Sequence, residues 1–243
     1  KEYGDDRIGL ADPDIRHLTG FAGDGGEGFA LQLLAELGDA PTEEAREDED
    51  DIFDSFKAGA DGYITKGAWV MSDMYELQAI KMIAENLPLA VEEPTNPVGR
   101  EGMALAQYIA AQAFSNVGLG LVHGMAHPMG SLHDIPHGVA NALLLPTIME
   151  FNMPKCIEKF GVIAKTMGVD TTGMSAEEAA KAAVNAVKAL SIRVGIPQTL
   201  TELGIKAENI PALAAQAIRD VCTPGNPRDV TEAEIIELYK KVL

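Results

Sequence analysis

Four of the chain's five histidines fall within fifteen residues, in GLGLVHGMAHPMGSLHDIPHG: His123, His127, His133 and His137. Residues four apart on a helix share a face, so His123 and His127 project together. His137 follows a turn and stands where the next helix should begin. Imidazoles from two adjacent helices can converge on one ion, and neutral imidazole suits borderline metals such as Zn2+ and Fe2+. The protease pattern HExxH is absent, because Gly124 follows His123, which argues against a zinc protease. Completing a site takes a further carboxylate or histidine. Asp54, Asp61, Asp73 and Asp134 are candidates that spacing alone does not separate.

The elements that must hold these side chains read as helices. Ser72 can cap a helix running to about Leu87, with Leu77, Ile80, Ala84 and Leu87 on one face. The prolines of EEPTNPVG, residues 92–99, mark a loop. A long helix is expected over about 100–116, and a shorter one over 121–126 after Gly118 and Gly120. Pro136 suits the first turn of the following helix, which Pro146 should kink or end. Ser175 with Glu178, and Thr231 with Glu234, have the spacing of capping boxes. The first precedes the apolar face Ala183, Val187, Leu190 and Val194; the second precedes Ile235, Leu238, Tyr239 and Val242. Pro211 should open a helix between them. No strand pattern stands out after residue 66, so helix-on-helix packing is indicated.

Composition agrees. Hydrophobic residues make up 47% of 243 and aromatic residues only 5%, which favours closely packed, alanine-rich helices. The net charge of −18 is uneven: residues 1–54 hold seventeen acidic against four basic side chains. Such acidity disfavours nucleic acid and anionic membranes as partners. Residues 41–51, PTEEAREDEDD, read as a solvated linker, and Phe29–Leu37 as a short amphipathic helix stopped by Gly38. Cys156 and Cys222 match no zinc spacing. With no apolar leader at the start and no membrane-length apolar run, a cytoplasmic protein with reduced thiols is expected.

The segment Gly102 to Pro146, GMALAQYIAAQAFSNVGLGLVHGMAHPMGSLHDIPHGVANALLLP, resembles the signature region of the iron-containing (group III) alcohol dehydrogenases. The likeness continues through GYITKGAW, GIPQTL, IPALAAQA and DVCTPGNPR. It implies a mainly α fold: the helical C-terminal domain of the iron-containing alcohol dehydrogenase (dehydroquinate synthase-like) architecture, here residues 61–243. Members of that family pair this domain with a Rossmann-like domain for NAD(P), and hold Fe2+, or in some members Zn2+, as a Lewis acid that binds an alcohol oxygen and favours hydride transfer. By the same resemblance His123 and His137 are metal ligands, and His127 is the histidine near the nicotinamide that positions the cofactor or relays a proton. Phe114 and Cys222 line the substrate pocket, which takes a small alcohol or aldehyde.

Two departures follow. Counting back from Gly62, the family's Asp-x-x-x-His pair falls on Asp54 and Ala58, so the expected ligand set reduces to Asp54, His123 and His137. Only about 60 residues precede the match, too few for a nucleotide domain, and GDGGEG, residues 23–28, carries acidic side chains that repel phosphate. Instead, residues 11–37 and Glu47 to Gly67, which holds Lys66 in GYITKG, are similar to pieces of a response-regulator receiver domain, so residues 1–60 read as an acidic, incomplete receiver-like segment and linker. The sequence is therefore expected to be a chimera or an incomplete oxidoreductase. A non-catalytic metal-binding domain or a structural protein is the alternative. Without a covering domain, its exposed apolar surface should drive homo-oligomer formation.

Overall fold

The structure, a computed structural model, describes residues 66–243. Among these there are seven α-helices, two short 3-10 turns and no strand. The helices are α1 (Lys66–Glu92), α2 (Pro97–Val117), α3 (Leu121–His133), α4 (His137–Thr166), α5 (Ala176–Arg193), α6 (Ile210–Ala217) and α7 (Glu232–Lys241); the 3-10 turns are Ala207–Asn209 and Thr223–Gly225. Asp54, Ala58, Asp61, the glycine-rich GDGGEG, the helix expected over 29–37 and the segments expected to be receiver-like up to residue 65 all lie outside the described residues.

Helices α1 and α2 form a hairpin, and α4 and α5 form a second pair. Asn96 caps α2, its side-chain oxygen accepting the Val98 and Gly99 N–H groups. A Cβ at Gly99 would come within 2.8 Å of the Ala90 nitrogen, so the glycine lets the two helices meet backbone to backbone. Helix α3 lies between α4 and α6, and α6 packs on α7. The core runs through Ile83, Leu87, Met103, Leu121, Met125, Leu144, Phe160, Val187 and Tyr239, all buried.

Both capping boxes form. Ser175 and Glu178 exchange bonds at the start of α5, and Thr231 and Glu234 do so at the start of α7. Behind each, the expected apolar faces are buried.

Several expectations need correction. Ser72 does not cap α1: the helix starts at Lys66, and Ser72 is a buried residue inside it. The buried face of α1 is carried by Ala79, Ile80, Ile83, Leu87 and Ala90, with Leu77 and Ala84 at its margin. Pro88 sits buried within α1, and α3 continues through Pro128 to His133. Pro146 neither ends nor kinks α4. The break comes at Cys156 (φ −128°, ψ 21°), two residues beyond Pro154. A proline removes one ladder bond and crowds the preceding turn, but burial of the surrounding face can hold the helix together, as it does at Pro88 and Pro146. Pro136 is the N-cap of α4 and not part of its first turn.

Candidate functional site

The histidines converge where α3 meets α4. His123 and His127 stand one turn apart on α3, and His137 is the first residue of α4. The ring centroids of His123 and His137 are 5.2 Å apart; those of His127 and His137 are 5.3 Å apart and nearly parallel, at 13°. The His123 and His127 rings meet edge on at 5.9 Å. His123 is buried and His137 exposed, so the cluster has a closed floor and an open side.

The α3–α4 junction makes this possible. Asp134 takes a left-handed conformation (φ 56°), and its N–H returns to the carbonyls of Met129 and Gly130. An aspartate tolerates this region better than most side chains. The chain therefore reverses within residues 134–136.

Asn141, one turn beyond His137, organises the two outer nitrogens. Its side-chain Nδ2 lies 3.0 Å from His123 Nε2 and 3.3 Å from His137 Nε2. One amide donates both hydrogens to two imidazole lone pairs. Both lone pairs are thus aimed at a single point, as two ligands of one cation must be. Asn141 is fully buried, and its Oδ1 has no hydrogen-bond partner. Amide oxygen and nitrogen exchange places by a half-turn of the side chain. Two neutral nitrogens and a stranded oxygen are a donor set that suits a borderline cation, so the residues present fit Fe2+ or Zn2+.

A second arm reaches the cluster from the far end of the chain. Asp220, in the turn after α6, places Oδ2 2.8 Å from His127 Nδ1. Its Oδ1 accepts the Cys222 N–H at 2.9 Å. Desolvation pushes the Asp220 carboxyl up, but the bonds from the Cys222 N–H and from His127 outweigh it and hold the group below its ordinary range. The turn is anchored on α4 by the reciprocal Asn152–Asn226 amide pair at 2.8 Å, and by Arg228, which donates to the Phe151 carbonyl at 2.9 Å. It reaches α3 at Gly124: a side chain there would collide with the Thr223 hydroxyl, which donates to the Ala217 carbonyl at 2.6 Å. The residue that breaks the protease pattern is the one that lets this turn approach.

The structure thus gathers His123, His127 and His137, with Cys222 beside them. Other residues named from the sequence stand elsewhere. His133 ends α3 and Asp134 follows it as an exposed cap. Asp73 lies on α1, 3.8 Å from Lys159. Phe114 is half-buried against the core near the end of α2. Asn141 and Asp220 were missed. Asn141 could have been found, since it shares a helix face with His137; Asp220 lay unremarked inside DVCTPGNPR.

Fold and cluster define an all-helical domain built around histidines contributed by two consecutive helices. The chain matches the family described as "Fe-containing alcohol dehydrogenase family, C-terminal" over residues 53–243, and it belongs to that family. It is 52% identical over 186 residues to lactaldehyde reductase of Escherichia coli (strain K12), covering 76% of this chain and 48% of that protein. It is 43% identical over 188 residues to 1,3-propanediol dehydrogenase of Citrobacter freundii, covering 77% of this chain and 49% of the relative. A crystal structure of 1,3-propanediol oxidoreductase superposes with a TM-score of 0.70 at 44% identity, covering 71% of this chain and 45% of that one. The chain spans about half the length of the curated relatives it matches. Among the described residues no helix is long and apolar enough to cross a membrane.

Proposed function

We propose that residues 61–243 form the metal-holding helical part of a cytoplasmic, NAD(P)-linked oxidoreductase that interconverts a small alcohol and its aldehyde. The observation that carries this reading is the convergence of His123 Nε2 and His137 Nε2 on one amide nitrogen, in a chain of this family. Relatives named for lactaldehyde and 1,3-propanediol support a short hydroxylated substrate. Fe2+, or Zn2+ in its place, would be held by His123 and His137. Asp54, which falls within the matched residues, is proposed as the third ligand on the family's Asp-x-x-x-His spacing ahead of GYITKG.

When bound, the ion would supply Lewis acidity toward an alcohol oxygen, and NAD(P) would supply a hydride acceptor. This chain's own side chains do the rest. Asp220 Oδ2 accepts the proton at His127 Nδ1, which fixes the tautomer and leaves Nε2 as the ring's acceptor. His127 is then oriented to receive a proton at Nε2 or to position the cofactor. Asn141 holds the His123 and His137 rings so that both Nε2 lone pairs stay aimed at one point. Phe114 and Cys222 are proposed to line the pocket, and a second copy of the chain to cover its exposed apolar side chains.

The test has two readings. Metal analysis and titration of the purified chain should give a bound divalent ion that His123→Ala or His137→Ala removes. Assay with NAD+ or NADH against 1,2-propanediol or lactaldehyde then asks whether the chain turns over. Loss of neither ion nor affinity in the histidine variants would overturn the ligand assignment.

A further inference from the structure

The turn after α6 brings together donors that the paired Nε2 atoms of His123 and His137 do not use. The ligand atoms of His127, Asp220 and Cys222 all lie within 4.8 Å of one another. They come from two pieces of chain, α3 and the Asp220–Cys222 turn, and all three residues are half-buried. The Asp220 carboxylate is anionic at neutral pH, because the Cys222 N–H and His127 outweigh its desolvation. Imidazole nitrogen, carboxylate oxygen and thiolate sulfur are the three donor types that Zn2+ accepts, and three protein ligands with one open position is a standard arrangement for it.

We propose that His127, Asp220 and Cys222 form a second divalent-cation site, one that carries a thiolate and takes Zn2+, distinct from the nitrogen pair of His123 and His137. The geometry is close to what an ion requires. His127 Nδ1 and Asp220 Oδ2 are 2.8 Å apart, bridged by a proton. An ion in place of that proton, with tetrahedral bonds of about 2.0–2.1 Å, sets them about 3.3 Å apart, an opening of roughly half an ångström for this pair, while Cys222 Sγ, within 4.8 Å of both, closes on the ion. Binding releases one proton, from the Cys222 thiol, while the His127 proton moves from Nδ1 to Nε2, so the ring stays neutral. No electron changes hands. Cys222 rather than Cys156 supplies the sulfur: Cys156 is buried at the break in α4. An ion here draws His127 away from the role proposed above, so excess Zn2+ opposes turnover. That consequence rests on the proposed function, while the site itself does not.

The test is Co2+ titration of the whole chain, followed by absorption. A thiolate ligand gives a sulfur-to-cobalt charge-transfer band in the near ultraviolet; a site built of nitrogen and oxygen gives only the visible bands. The expected result is a charge-transfer band in the parent chain that Zn2+ abolishes by displacement. It should be lost in Cys222→Ser and retained in Cys156→Ser and in His123→Ala/His137→Ala. Asp220→Asn is an independent check that does not touch sulfur. It should weaken Co2+ affinity at the band by more than about tenfold, the lower end even for outer-shell changes. Circular dichroism confirms that each variant is folded. Absence of the band in the parent chain at saturating Co2+ overturns the proposal, and so does a band that survives Cys222→Ser or disappears with His123 and His137. Visible bands alone, removed by the histidine pair, would uphold the first site and sink the second.

Discussion

Gly124→Ala puts a methyl group where α3 meets the Thr223–Gly225 turn. Its Cβ would collide with Thr223 Oγ1, with Thr223 Cβ behind it at 3.3 Å. Thr223 is buried and its hydroxyl donates to the Ala217 carbonyl, so it has little room to rotate. Forcing an extra methyl into a packed junction costs about 1–3 kcal/mol. Breaking the Thr223–Ala217 bond adds about 0.5–1.5 kcal/mol. Against this, alanine in a helix interior gains roughly 1 kcal/mol over glycine. The clash wins, leaving a net loss of about 2 kcal/mol, which corresponds to about 4–8 °C in Tm for a domain of this size. Urea and thermal melts of Gly124→Ala, Thr223→Ala and the double variant measure it. The double variant should recover part of the loss, because removing the hydroxyl removes the obstacle, giving a coupling of about 1 kcal/mol or more. If Gly124→Ala is as stable as the parent or more so, helix propensity has won and the close approach is not what the glycine is for.

Lys159→Met removes the cation that lies 3.0 Å from the buried Glu76 carboxylate; since Lys159 is partly exposed, the loss should be about 2–4 kcal/mol in urea melts, and replacing Glu76 by leucine as well should restore much of it. Tyr239→Phe deletes the 2.5 Å bond to the Met125 carbonyl that ties α7 to α3. It should cost about 0.5–1.5 kcal/mol by chemical denaturation, and an unchanged midpoint would mean that packing alone holds the ring. The Asp220 carboxyl is held below the ordinary aspartate range in the folded chain, so its contribution is complete above that range and is lost as pH falls through the folded-state pKa. In metal-free protein, Asp220→Asn should flatten the stability profile below about pH 4; an acid limb as steep as the parent's would count against the His127–Asp220 contact.

What could be read in advance was local. The capping boxes at Ser175 and Thr231 are complete within four residues, and the faces behind them follow from helical spacing alone. His123 and His127 share a face for the same reason. The prolines were harder, because their effect depends on what surrounds them. Pro88, Pro128 and Pro146 lie in helices that continue, while the break near Pro154 appears only at Cys156. The start of α1 was misplaced because Ser72, a good cap by type, is buried mid-helix. Asp220 could not be paired with His127 from the sequence, since 93 residues separate them and only the packing of α6 and its following turn against α3 brings them together.

The site is therefore set by two junctions of different kinds. The first is short: residues 134–136, with Asp134 left-handed, decide how far His137 stands from His123. The second is long-range: the asparagine pair, Arg228 and the Gly124 gap decide where Asp220 stands against His127. A disturbance of the first should separate the two Nε2 atoms that share Asn141, and leave the Asp220 contact in place. A disturbance of the second should free His127 and leave the Nε2 pair intact. Because α3 carries both His123 and His127, its register couples the two. A change inside α3 at Gly124 should reach both arms, whereas changes at Asp134 or Asn226 should each reach only one.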